Sequence, residues 1–265
     1  MRKENEWLPD LSRSGYLVGR QDPYDEHRSF LRGRLSRRQR CGRAGCGPRL
    51  RRRLARRTPP AGGSILRTWT KPVVRVNCPE APAFAAAGTS SALAAVYDAL
   101  LGPDQWIRRA GVGGTVPIRF PSDEDPGDAG WHIDGSYDVN GTWWVNVHSR
   151  RGGLLALSLF TNVGDNDAPT ELIVGSHLDV PRVLAPYGER GVEFNGRDLP
   201  ATTFERPRTF ATGTAGDVYV CHPFIVHRAT WPHRGTRPRM IAQPEIGHRE
   251  PFALRLLAQG RPAAF

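Results

Sequence analysis

The sequence of 265 residues predicts a mainly β protein, folded as a sandwich, barrel or jelly roll with few helices. Short apolar runs bounded by Gly, Pro or Asp recur through its second half, whereas helical spacing is confined to two short segments. All-β folds of this length are commonly a single domain. The predicted strands are 115–120, 142–148, 154–161, 171–174, 217–221, 224–229 and 239–244.

Two segments are predicted to be helical. Residues 90–101 carry apolar side chains at helical spacing behind a serine that can cap the first turn. One face of this helix is therefore expected to pack against a sheet. A second helix is expected over 176–184, where Pro181 has to be tolerated near the start.

Composition narrows the class of protein. The hydrophobic fraction is 39%, and no run approaches the length of apolar sequence that crosses a bilayer, so a membrane span is not expected. The N-terminus lacks the apolar core of a secretory signal, and four scattered cysteines do not make a disulfide scaffold. Cys41 and Cys46 lack the second Cys or His pair of a zinc site. A cytoplasmic location is the expectation.

The positive charge of the chain is confined to one segment. Between Arg28 and Arg57 there are 13 arginines and no acidic residue, so the net charge of +11 becomes 11 − 13 = −2 without them. We therefore expect two parts, an N-terminal segment, 1–66, that is arginine-rich and poorly ordered from residue 28 on, and a folded domain, 67–265.

The arginine-rich segment has three possible interpretations. It is a solvated tail or insert, a nucleic-acid-binding arm that displaces counterions, or GC-rich DNA translated out of frame. Residues 28–66 contain one Phe and no Trp or Tyr, so aromatic platforms for stacking bases are missing. Nucleic acid is therefore not the expected partner.

The most informative motif is Trp131-His132-Ile133-Asp134-Gly135, which is followed much later by His227. Alternate strand residues point to the same face, so His132 and Asp134 can face one ion while Ile133 packs on the other side. Two imidazoles and one carboxylate on one face of an octahedron are typical of non-haem Fe(II) oxygenases. The three open positions accept a bidentate 2-oxo acid and dioxygen.

A cation is expected deeper in the barrel than the metal. If 2-oxoglutarate chelates the metal through its keto-acid end, its other carboxylate is buried and needs a charged partner. Arginine suits this role because its planar fork donates two parallel hydrogen bonds. Arg239 starts the apolar run Met240-Ile241-Ala242 and is preferred, and Arg237, which precedes a proline in the turn, is the alternative.

These motifs, in this order, resemble the phytanoyl-CoA dioxygenase family. The likeness covers roughly residues 68–248 and includes Trp131-His132-Ile133-Asp134, the stretch from Asn166 to His177, and Gly216-Asp217 leading to His227. Ala168 stands where the family usually has a turn glycine, and Val174 where it often has proline.

This resemblance implies a double-stranded β-helix, also called a jelly-roll or cupin-like fold, with flanking helices. It implies Fe(II) as cofactor and 2-oxoglutarate as co-substrate, with His132, Asp134 and His227 as the catalytic metal ligands. Arg239 would then pair with the far carboxylate of 2-oxoglutarate. The expected activity is a dioxygenase that uses O2 to hydroxylate a C–H bond of a small-molecule metabolite.

Two other functions remain open at this point. One is a redox-inert, metal-binding cupin-like protein, and the other is nucleic-acid binding through the arginine-rich segment. Four further residues attract attention. His222 and His177 are expected to be structural, His148 to pack, and Arg119 to face either the site or the solvent.

Overall fold

The computed structural model describes residues 69–148, 152–194 and 198–249. The N-terminal segment 1–66, with its arginine-rich part, lies outside the described residues. The strands are β1 Val73–Asn77, β2 Thr115–Arg119, β3 Ser136–Val139, β4 Thr142–Val145, β5 Gly152–Leu159, β6 Glu171–Ile173, β7 Val192–Glu193, β8 Arg208–Phe210, β9 Val218–Cys221, β10 His227–Arg228, β11 Arg239–Ala242 and β12 Glu245–Gly247. The helices are α1 Pro82–Gly88, α2 Ser91–Leu101, α3 Val180–Leu184 and α4 Ala201–Phe204, with 3₁₀ segments at Ser176–Leu178 and Ala185–Arg190.

The strands form three sheets, and every pairing is antiparallel. The large sheet has the order β1-β2-β11-β5-β12, with β9 pairing with β5 as well. Two three-stranded sheets have the orders β10-β6-β8 and β3-β4-β7. The prediction of a mainly β protein is therefore confirmed, and its sheets are antiparallel.

The large sheet and the β10-β6-β8 sheet enclose an apolar interior. Alternate residues of β5, such as Leu157, pack there against Leu172 of β6 and against Ile225, which precedes β10. The intervening residues of β5 point outward, where Leu154 and Ala156 contact the helical layer. All eight residues of β5 are buried, because both faces of the sheet are covered.

Helices α1 and α2 cover the outer face of the large sheet. Ser90 caps α2, as predicted, by accepting a hydrogen bond from the amide of Leu93 at 3.2 Å. By length and composition alone, the stretch Pro82–Leu101 is apolar enough to cross a membrane. It is divided at Thr89 into two helices, and Phe84 and Tyr97 bury their rings against the sheet. Each of the two helices is thus attached to the sheet through one buried aromatic ring.

The predicted second helix is shorter and more irregular than expected. A 3₁₀ turn at Ser176–Leu178 precedes α3, and Pro181 lies in the first turn of α3, where its missing N–H costs no hydrogen bond. Val180 and Leu184 of this helix pack against Ile133 and Val145, on the outer face of the two small sheets. This packing places a rigid layer directly behind the His132–Asp134 motif.

Candidate metal centre

The structure brings His132, Asp134 and His227 together. Their ligand atoms all lie within 4.8 Å of one another. The imidazole rings of His132 and His227 have their centroids 4.3 Å apart, and Asp134 Oδ2 lies 3.6 Å from His227 Nε2. Three donors that are distant in sequence therefore surround one small volume.

Backbone pairing explains this convergence. His132 and His227 form an isolated antiparallel bridge in which each amide donates to the other's carbonyl at 3.0 Å. The chain then turns at Asp134, and the amide of Gly135 donates to the carbonyl of Pro223 at 2.9 Å.

The strand alternation expected at His132 and Asp134 is present only at His132, which is paired as in a sheet, because a turn begins at Asp134. The turn that follows still directs the carboxylate toward the imidazoles. Ile133 is fully buried on the opposite side, as predicted.

A backbone carbonyl fixes the tautomer of each histidine. Nδ1 of His132 lies 2.8 Å from the carbonyl oxygen of Gly130, and Nδ1 of His227 lies 3.0 Å from that of Ile225. A carbonyl can only accept, so each Nδ1 carries the proton and donates it. The unprotonated Nε2 of each ring is left available to a metal, and ring rotation is restricted.

The electrostatics of the site favour neutral imidazole. Burial, with the nearby His132, lowers the pKa of His227 to about 4, against the opposing influence of Asp134. His227 is 1% exposed, whereas the side chain of Asp134 is 33% exposed and His132 is exposed. The site therefore has a buried floor and an open mouth.

These residues fit a divalent first-row metal. Two neutral imidazole nitrogens and one carboxylate oxygen are donors that such an ion accepts, and they approach from one side only. The remaining coordination positions would face the mouth, where Asp134 and His132 meet solvent.

Arg239 enters the same interior as His227. Leu172 is the Cα partner of His227, so both side chains lie on one face of their sheet. Leu172 packs against Ile241, and Arg239 lies two residues before Ile241 on β11. Arg239 is 1% exposed, and its Nη1 donates to the carbonyl of Ala168. Burial and the Arg119 charge lower the pKa of this guanidinium to about 9.

Arg237 is placed differently. It is exposed in the turn before β11, where its carbonyl accepts a hydrogen bond from Nε2 of His233 at 3.0 Å. Of the two arginines predicted as partners of 2-oxoglutarate, the structure therefore places only Arg239 in the interior.

Arg119 is the residue whose position the sequence left open, and it is buried. It is 2% exposed and directly opposite Arg239 in the pairing of β2 with β11. Its Nη2 donates to both carboxylate oxygens of Asp128, at 2.8 and 2.9 Å. Burial raises the pKa of Asp128, but the contacts with Arg119 and the charge of Arg75 lower it more, so this pKa lies below its usual value.

The other histidines that attracted attention lie outside the ligand set. The rings of His177 and His222 stack on each other with centroids 4.7 Å apart, and Nδ1 of His222 accepts from the amide of Phe224 at 3.1 Å. Nε2 of His148 lies 3.3 Å from Oε1 of Glu189.

Sequence reasoning missed two acidic residues that support the site. Asp128 is one of four acidic residues in the stretch 122–128, and nothing in the sequence distinguishes it from its neighbours. Glu171 lies on β6, is 4% exposed, and pairs with Arg228 at 2.7 Å and Arg208 at 3.1 Å. The one available signal for Glu171 was an acidic residue at the start of an otherwise apolar run.

Comparison with known proteins places this geometry in context. No protein-family model and no curated protein matches the chain. A solved structure of the epimerase SnoN, in complex with Fe3+, α-ketoglutarate (2-oxoglutarate) and nogalamycin RO, matches with a TM-score of 0.50 and 17% identity. The match covers 78% of this chain and 75% of SnoN. The two proteins share a fold.

Two further solved structures give weaker matches. The carbocyclase SnoK from nogalamycin biosynthesis matches with a TM-score of 0.48 and 16% identity, over 66% of this chain and 63% of SnoK. HygX from Streptomyces hygroscopicus, solved with nickel and 2-oxoglutarate bound, matches with a TM-score of 0.46 and 17% identity. That match covers 84% of this chain and 87% of HygX.

Proposed function

We propose that this protein is an Fe(II)- and 2-oxoglutarate-dependent dioxygenase that hydroxylates a C–H bond of a small-molecule metabolite. The observation that carries the proposal is the convergence of His132, Asp134 and His227 beside an interior that contains a buried arginine. An unpaired charge in an apolar interior is energetically costly, so the buried arginine needs an anionic partner. 2-Oxoglutarate would supply that anion, whereas a protein that only binds a metal would not.

Each residue has a defined part in this proposal. His132 and His227 would bind the ion through Nε2, and Asp134 would bind it through a carboxylate oxygen. Arg239 would hold the far carboxylate of 2-oxoglutarate and so orient its keto-acid end toward the metal. The buried floor around His227 excludes water from that side, while the open mouth at His132 and Asp134 admits the substrate.

Fe(II), when bound, supplies the activation of O2, in which 2-oxoglutarate becomes succinate and CO2 and one oxygen atom is inserted into the substrate C–H bond. The carbonyls of Gly130 and Ile225 keep the protons of both ligand imidazoles on Nδ1, away from the metal.

The fold and the family follow from the same proposal. We propose that the two facing sheets form a double-stranded β-helix within a domain of residues 67–265, and that the chain is related to the phytanoyl-CoA dioxygenases. The order of the motifs supports the proposed family, and the fold shared with SnoN, whose structure contains Fe3+ and α-ketoglutarate, supports the proposed fold and cofactors. The SnoN complex contains nogalamycin RO, so compounds similar to nogalamycin are the first class of substrate to test.

A turnover assay without the natural substrate tests the proposed activity. The purified protein is mixed with Fe(II), 2-oxoglutarate and air, and succinate is quantified. We expect slow, uncoupled succinate formation that is lost in His227→Ala and retained in His148→Ala, a histidine outside the ligand set. Equal succinate formation by the parent and His227→Ala would contradict the assignment.

A further inference from the structure

Two guanidinium groups, not one, lie in the interior. Arg119 and Arg239 are Cα partners on neighbouring antiparallel strands, so their side chains share a face. They are 2% and 1% exposed. Two like charges in this position repel each other and lose hydration, which is unfavourable unless an anion accompanies them.

The anionic charge near this pair is incomplete. Asp128 neutralises one guanidinium through its contacts with Arg119, and it also pairs with Arg75 at the surface. Asp167 also acts on Arg239, but only at longer range, and no ion pair joins them in the described part of the chain. Arg239 is therefore a buried cation without a carboxylate in direct contact, since its recorded hydrogen bond goes to the carbonyl of Ala168.

Both arginines also keep an unused donor. The Nε atoms of Arg119 and Arg239 are fully buried and have no hydrogen-bond partner among the described residues. Buried N–H groups are almost always paired in folded proteins, and an unpaired one signals a missing acceptor. Two orphaned donors on facing residues indicate an acceptor with two oxygens, such as a carboxylate.

We propose that Arg119 is a second co-substrate-binding residue, so that the far carboxylate of a dicarboxylic 2-oxo acid binds between Arg119 and Arg239. This inference rests on the proposed function and deepens it. Asp128 is the positioning residue that orients the Arg119 fork. A monocarboxylic 2-oxo acid lacks the second anion and leaves both cations unpaired, so the pair selects 2-oxoglutarate over shorter keto acids.

Binding measurements on Ni(II)-loaded protein without turnover test this role. Calorimetry gives the dissociation constants of Ni(II), 2-oxoglutarate and 2-oxobutyrate, which has no second carboxylate. Arg119→Met should weaken 2-oxoglutarate binding at least tenfold and leave the Ni(II) and 2-oxobutyrate constants within twofold. Arg75→Met is the matched control, because Arg75 pairs with the same Asp128 but is 55% exposed. It should change none of the three constants by more than twofold.

The outcomes separate the two proposals. If the parent fails to bind 2-oxoglutarate, the proposed function fails. If the parent binds it and a folded Arg119→Met binds it equally well, only the role of Arg119 is overturned. Arg119→Lys, which keeps the charge and loses the fork, should give an intermediate loss.

If both Arg119 variants unfold, the role of Arg119 can be tested on the parent protein alone. Arg119 and Arg239 are the two buried arginines among the described residues, and their Nε–H signals can be assigned by NMR through the carbons of their own side chains. Both should shift when 2-oxoglutarate is added, and a shift of only one would contradict the proposal.

Discussion

At the scale of single residues, Ala168 shows how the backbone serves the interior. Its φ is 49°, a left-handed conformation that costs an L-residue with a side chain about 1–2 kcal/mol. The carbonyl of Ala168 accepts the hydrogen bond from Arg239, so this conformation orients an acceptor for the buried guanidinium. A glycine at this position would reach the same conformation without strain.

Ala168→Gly should therefore stabilise the protein. Relief of the left-handed strain is partly offset by the greater freedom of glycine in the unfolded chain, which leaves a net gain of roughly 0.5–1 kcal/mol. Urea unfolding of the metal-free protein measures the change in the free energy of unfolding. Ala110→Gly is the control, because Ala110 is exposed and is not among the residues with positive φ. A loss of stability in Ala168→Gly would refute this explanation.

Single residues also mark the limit of what the sequence could predict. Motif order and strand alternation predicted that His132, Asp134 and His227 lie together and that Arg239 is buried, and the structure has both features. The burial of Arg119 did not follow from the sequence, because it depends on two non-local facts. Arg119 lies opposite Arg239 across a strand pair, and Asp128 folds back from a loop to meet it.

At the scale of secondary-structure elements, the segments that carry His132 and His227 are held together from outside. Trp131 precedes His132, Arg228 follows His227, and the Arg228 guanidinium lies 4.4 Å from the centre of the Trp131 ring. Glu171 on β6 binds Arg228 at 2.7 Å and so connects this contact to the sheet. Arg208 of β8 adds a second cation 5.4 Å from the same ring. We call Trp131, Glu171, Arg208 and Arg228 the outer clamp.

Glu171→Gln tests the outer clamp. The neutral amide keeps the shape but weakens two charge-assisted hydrogen bonds, so the free energy of unfolding should fall by about 2 kcal/mol. Affinity for Ni(II) should also fall, because the segments that carry His132 and His227 are less firmly held. Chemical denaturation and calorimetry measure the two effects. Glu124→Gln, at an exposed position, should change neither, and an unchanged metal affinity in Glu171→Gln would show that the clamp has no part in ligand placement.

Half of the twelve described strands were predicted close to their observed bounds. Strands β2, β4, β5, β6, β9 and β11 start and end inside, or within two residues of, their predicted ranges. The predicted strand 224–229 is reduced to His227–Arg228, because the chain turns at His222, whose carbonyl accepts the amide of Ile225. Strands β1, β3, β7, β8 and β12 were missed, because they are short and gain their stability from pairing with distant partners.

At the scale of the whole molecule, several neutral histidines are buried with the core. Burial, assisted by the charge of Arg206, lowers the pKa of His177 from 6.5 to about 4, and burial holds the pKa of His222 well below 6.5. Burial also lowers the pKa of His227 to about 4. In the unfolded chain these groups take up protons near pH 6.5, whereas the folded protein resists protonation until lower pH.

Stability should therefore fall on acidification between pH 6.5 and pH 4. Above pH 6.5 both states are neutral at these histidines, and the stability is fully present. Below it the unfolded state binds more protons, and His177 alone accounts for about 3 kcal/mol across the window. Urea unfolding in the presence of a chelator, at pH 7 and pH 5, measures the loss. In His177→Asn, the free energy of unfolding should differ less between pH 7 and pH 5 than in the parent. An identical pH dependence in this variant would show that His177 does not contribute to the loss of stability.

The central claim is that His132, Asp134 and His227 hold Fe(II) while 2-oxoglutarate chelates it. Anaerobic addition of Fe(II) and then 2-oxoglutarate to the purified protein tests this claim most directly. The parent should develop the weak visible charge-transfer band of the chelate, and His227→Ala and Asp134→Ala should lack it while remaining folded by circular dichroism. A folded parent without the band, or a band that survives in both variants, would contradict the account.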